Sequence, residues 1–134
     1  MMKKMRLMLV IFAVAMLAVN CKNAKQKLQE YVAAYNAAAP SFKADNVTLT
    51  TARGYINDDK IELRFETGLE QNKANMMAGN MAFSKLLKEM INKNQIPKDL
   101  VEEGIRFDVY FLANDNTVLS KKIIDKESIS EILK

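Results

Sequence analysis

The 134-residue chain has no histidine and no tryptophan, one cysteine, two prolines and four glycines. Without histidine it lacks the commonest general base and the commonest zinc ligand. Serine–histidine and cysteine–histidine hydrolases are thereby excluded. A lone cysteine forms no intramolecular disulfide and supports no cysteine-rich metal site. No phosphate-cradling glycine loop, zinc-ligand spacing or nucleophile elbow occurs, and no cofactor is implied.

What is present begins with a segment built differently from the rest. Lys3, Lys4 and Arg6 make a basic start, and the uncharged apolar run 7–19 follows. The run has signal-peptide proportions and falls short of the ~20 residues that span a bilayer. Cys21 stands immediately after it. Leu17-Ala18-Val19-Asn20-Cys21 resembles a bacterial lipobox, although a standard lipobox has leucine three residues before the cysteine and glycine or alanine just before it. The resemblance implies cleavage before Cys21 and acylation there with fatty acids such as palmitate. The expected organisation is a signal peptide over 1–20, a tether over 21–26 and one domain over 27–134. An ordinary secretory signal that leaves Cys21 as a free thiol is the alternative.

Export also changes the charge. The chain carries 20 basic and 16 acidic residues, and losing Lys3, Lys4 and Arg6 leaves 17 against 16, a balance of +1. The basic pI therefore belongs partly to the signal, and nucleic acid is not an expected partner. A lipoprotein signal without aspartate after Cys21 implies the bacterial envelope, at the outer membrane and facing the periplasm.

Leu28, Tyr31, Val32, Tyr35 and Ala39 recur at spacings of three and four, so 25–39 is an amphipathic helix that packs on a sheet or lies on a membrane surface. From 46 to 67 the period becomes two. Val47, Leu49 and Thr51, then Ile61, Leu63 and Phe65, form a hairpin closed by Asn57-Asp58-Asp59-Lys60, with Gly54 expected at a bulge or bend. A helix over 74–93 places Met76, Phe83, Leu86, Leu87 and Met90 on one side, as core or as a partner groove. Pro97 to Gly104 frame a short helix. A second hairpin pairs 105–112 with 118–124 across Asn114-Asp115-Asn116-Thr117. Asp125 then caps a closing helical turn bearing Ile129, Ile132 and Leu133.

The expected fold is α+β, with a four-stranded antiparallel sheet made of two hairpins and covered by helices on one face. This αββαββ order, with the stretch Ile96-Pro97-Lys98-Asp99-Leu100-Val101-Glu102-Glu103-Gly104-Ile105-Arg106-Phe107-Asp108-Val109-Tyr110, resembles small exported bacterial proteins and lipoproteins of unassigned function. That resemblance implies no site residues.

The candidate ligand or partner face comes from strand alternation. Glu62, Glu66 and Asp108 fall opposite the apolar rows and are expected together on the open sheet face, where Arg53, Arg64 and Arg106 are expected to join them. Cross-strand ion pairing would solubilise that face. A carboxylate pair for acid–base chemistry would need a cleft holding two groups about 5–10 Å apart. The expected function is a lipid-anchored, non-enzymatic domain that binds another envelope component through the sheet face or the methionine-bearing helix. An inhibitor or immunity-type lipoprotein that blocks a secreted hydrolase is the second expectation, and a carboxylate-based enzyme the third.

Overall fold

The computed structural model of the protein describes residues 23–134. The expected signal peptide and Cys21 lie outside the described residues. Helix α1 (Ala24–Ala38) begins inside the expected tether, because Asn23 and Gln26 form a reciprocal capping box, each side chain accepting from the other's backbone N–H. A 3-10 turn at Ala39–Ser41 carries Pro40 and ends the helix.

Strands β1 (Val47–Tyr55) and β2 (Lys60–Thr67) form the first hairpin, with Asp59 in the left-handed region at the turn. Helix α2 (Lys73–Asn92) and the short α3 (Lys98–Glu102) follow. Strands β3 (Arg106–Leu112) and β4 (Val118–Ile124) make the second hairpin, and α4 (Ile129–Ile132) closes the chain. Asn94 and Gly104, both with positive φ, end α2 and α3. After Asn94 the Gln95 and Ile96 amides turn back onto the Met90 carbonyl, and at the end of α3 the Gly104 and Ile105 amides turn back onto the Val101 and Leu100 carbonyls. Asp125 Oδ1 accepts from the Glu127 and Ser128 amides and fixes the turn before α4.

The fold is α+β, with strand order β1-β2-β3-β4. The sheet, expected to be antiparallel throughout, is antiparallel within both hairpins and parallel between β2 and β3. The physical reason is the connection: α2 and α3 carry the chain back to the end of the sheet where β2 started, so β3 sets out in the same direction. Residue alternation fixes which face a side chain takes and is silent on this choice.

Both long helices cover the same face. Ile61, Leu63, Phe65, Phe107, Val109 and Phe111 are buried beneath them. Phe83 of α2 stacks on Phe111 with ring centroids 5.2 Å apart and meets Phe65 edge-on at 6.1 Å. On the α1 side Leu28 is buried and Tyr31 packs edge-on against Phe107 at 5.4 Å. The helix over 25–39 thus packs on the sheet, as the first of its two readings expects.

Gly54 makes no bulge. It pairs in register with Ile61, and a β-carbon there would stand 2.8 Å from Leu28 Cδ2, so glycine admits the helix to the strand. The irregularities lie between Val47 and Leu49 and between Phe111 and Leu112.

Two tyrosine hydroxyls tie α1 down. Tyr31 donates to the Gln95 carbonyl at 2.7 Å, and Tyr35 shares a 2.6 Å hydrogen bond with Thr50. Burial pushes both phenols up, Tyr35 to about 12 and Tyr31 further.

Candidate functional site

Strand register places Arg53, Glu62, Asp108 and Ile123 in one row across the face the helices leave open. Asp108 is its centre. Although on the open face, it is only 2% exposed, because Arg106 and Lys60 converge on it. Arg106 Nη2 donates to Oδ2 at 3.2 Å. Its Nε stands 2.9 Å from Oδ1 without an aligned N–H, so that oxygen has charge compensation but no hydrogen bond. Lys60 Nζ lies 3.7 Å from Oδ2.

Tyr55 completes the cluster. Lys60 and Arg53 sit over its ring at 4.6 and 5.4 Å, and its hydroxyl reaches Glu62 at 3.4 Å. Four of the six candidate residues, Arg53, Glu62, Arg106 and Asp108, therefore share one neighbourhood. Arg64 lies in the next row beside Tyr110, and Glu66 in the row beyond. Neither enters an ion pair among the described residues. The cluster sets three cations against two carboxylates, and its residues line none of the clefts described below.

The second candidate surface is the methionine-bearing helix. Its C-terminal half is core, with Phe83, Leu87, Met90 and Ile91 buried. Its N-terminal half is different. Only Gly79 is buried there, Met76 is exposed against expectation, and Met77 and Met81 are 73% and 78% exposed. Sequence reasoning passed over Met77 and Met81 because they fall outside the apolar stripe. The signal available was helical phase: Met77 and Met81 each lie two residues from Gly79, about 200° round the helix from the side that faces Phe111.

Three clefts accompany these surfaces. One of about 510 Å³ runs between α2, β4 and α4 over Leu87 and Ile132. One of about 260 Å³ lies between α2 and the loop at 43–45, and one of about 360 Å³ between that loop and β1. Among the described residues no three acidic or thiol side chains stand close enough to hold a metal. Among them, too, no helix is long and apolar enough to cross a membrane.

No protein-family model matches the chain, and no curated protein matches it either. Among solved structures, a Pseudomonas aeruginosa protein assigned as secreted is similar in fold, with a TM-score of 0.56 at 12% identity, over 78% of this chain and 91% of that one. At that identity the likeness shows the α+β fold alone. The type II secretion system pilotin of Vibrio cholerae is similar over 77% of this chain and 95% of its own, at 13% identity and a TM-score of 0.39, too low to carry an argument.

Proposed function

We propose that the chain is an exported envelope protein, anchored by acylation of Cys21, whose domain is a binding module and not an enzyme. Its partner, another envelope component, docks on the exposed N-terminal half of α2. The observation that carries this reading is the pair Met77 and Met81, large apolar side chains one turn apart on a surface the domain leaves uncovered. Unbranched, polarisable methionines suit an adaptable contact. The open sheet face is the weaker surface for a partner, because its buried carboxylate is already matched by Arg106 and Lys60.

Geometry supports the pairing of anchor and surface. Helix α1 starts where Leu28 meets Gly54, in the row of Ile61, Phe107 and Ile124. A β-carbon at Gly79 would stand 3.5 Å from the Phe111 ring, which lies four residues beyond Phe107 along β3, roughly 13 Å at ~3.3 Å per residue. An anchor at Cys21 would hold one end of the sheet at the membrane and point the methionines away from it. Export is further supported by the fold shared with a protein assigned as secreted.

The test has two arms. Cys21→Ser should abolish acylation and release the domain from membranes, and a variant that stays membrane-bound sinks the anchor. A photo-crosslinker placed at Met77 or Met81 of the acylated chain should trap one defined adduct that a crosslinker at Thr51 does not. The same adduct from Thr51 on the open sheet face, or none from α2, refutes the docking surface.

A further inference from the structure

Two-electron oxidants find few targets in this domain. The chain has no histidine and no tryptophan, and its one cysteine is Cys21, outside the described residues. Among the described residues the readily oxidised groups are therefore four thioethers, those of Met76, Met77, Met81 and Met90. They fall into two groups. Met76, Met77 and Met81 are 41%, 73% and 78% exposed on the N-terminal half of α2, whereas Met90, on the C-terminal half, is 1% exposed.

Accessibility governs how fast a thioether meets an oxidant. Met77 and Met81 stand four residues apart and share one side of the helix, while Gly79 and Phe83 are the buried residues of the same turns. The core therefore asks nothing of the two sulfurs. Met90 packs in the core and meets an oxidant only when the domain opens. One helix thus carries reactive sulfur on its uncovered side and a protected sulfur that reports unfolding.

We propose that Met77 and Met81 form a reversible oxidation site, at which hydrogen peroxide switches off the docking surface by turning both thioethers into sulfoxides. The proposal rests on the export and docking reading above, since the compartment outside the inner membrane is oxidising. In each step a sulfur lone pair attacks one peroxide oxygen, and the S–O bond forms as the O–O bond breaks. The proton on the transferred oxygen passes to the departing hydroxide, which leaves as water. Sulfur gives up two electrons and the peroxide takes them. Reversal uses a reductase with two thiols, which removes the oxygen as water and is left as a disulfide. The sulfoxide oxygen is a polar acceptor set where an apolar contact is made, and burying it without a donor should weaken docking about tenfold. In the free domain the same oxygen faces water, so the fold should be indifferent to it.

The test treats the acylated full chain with hydrogen peroxide and removes the excess with catalase before the chain meets membranes, so that only the chain is oxidised. A photo-crosslinker at Ala78, exposed on the same half of α2, leaves both methionines in place. By mass spectrometry Met77 and Met81 should each gain one oxygen about tenfold faster than Met90, with circular dichroism unchanged. The defined adduct should fall about tenfold and return after treatment with methionine sulfoxide reductases. The adduct formed by a Met77→Leu, Met81→Leu chain should be indifferent to peroxide. An undiminished adduct with both methionines oxidised overturns the switch and leaves the docking surface standing. A loss that also occurs in the leucine variant, or that comes with unfolding or with equal oxidation of Met90, overturns it as well, by placing the damage elsewhere. No adduct from Ala78 before oxidation refutes the docking surface and this proposal together.

Discussion

Phe65 and Glu66 are consecutive residues of β2, yet Phe65 lies between Phe42 and Phe83 in the core and Glu66 lies half-exposed on the opposite face. The covered face is held by shape, through rings in contact across three elements. The open face is held by charge, through two cations on one carboxylate and two over one ring. A packed face cannot relax into lost volume, whereas a charged face open to water can rehydrate what it loses. Substitutions should therefore cost more on the covered face. The largest loss is expected for Phe83→Ala, which empties the site between Phe65 and Phe111 and should cost about 3–5 kcal/mol in urea unfolding. A loss under about 1 kcal/mol would mean that the helix and sheet close over the gap and that shape is not what holds them.

On the open face the sharper experiment is an order. Arg106→Ala leaves the Asp108 carboxylate with only Lys60, at 3.7 Å, and should cost about 2 kcal/mol, because a charge-assisted hydrogen bond is lost and the water admitted in place of the guanidinium replaces only part of it. Asp108→Asn leaves two cations that are partly exposed and able to take up water, so about 1 kcal/mol is expected. Equal losses, or the reverse order, would show that Asp108 is not the buried member of the cluster.

Titration separates the faces as well. The raised phenols of Tyr31 and Tyr35 belong to the covered side, and their contribution is complete below the unfolded value of about 10. It should fall as pH rises from there through about 12, where Tyr35 ionises in the folded protein. Tyr35→Phe should be less stable at neutral pH, having lost its bond to Thr50, and should show a shallower alkaline decline. At the other limit, hydrogen bonds from Thr117 and from Ser128 hold Asp115 and Asp125 below the usual carboxylate range. Their contribution is present above the unfolded value near 4 and lost as pH falls through the folded value. Both are exposed to solvent, so the acid loss should be the smaller of the two in stability measured across pH.

The elements themselves were legible in the sequence. Periods of two and 3.6 located four strands and both long helices to within a residue or two, and they assigned Glu62, Arg64, Glu66, Arg106 and Asp108 to the uncovered face of the sheet. In β1, by contrast, the row read as apolar, with Leu49 and Thr51, shares that open face with Arg53, and Thr50 and Ala52 are the buried residues. What periodicity could not supply was anything set by an element's neighbour. Gly54 reads as a bulge until Leu28 is seen against it. The parallel pairing of β2 with β3 is decided by the length and path of the connection. Met76 shares a helical stripe with Phe83 and is still exposed.

The outward side of α2 gives the smallest expected effect. Met81 and Phe83 are two residues apart on α2, one largely exposed and the other buried at the junction of helix and sheet. If the N-terminal half of α2 contributes nothing to the isolated domain, Met81→Gln should change its stability by no more than about 0.5 kcal/mol, against the several lost by Phe83→Ala. A loss above about 1 kcal/mol would mean that Met81 packs within the domain and is not a free contact. The comparison gains force when a partner is present, because a partner that binds the folded state raises its apparent stability by mass action. The wild-type chain should then melt higher with the partner than without it, and Met81→Gln should lose part of that increment while melting alike alone. A side chain that matters only in company is the thermodynamic signature of an interface, and it separates the two halves of one helix as the two faces separate one sheet.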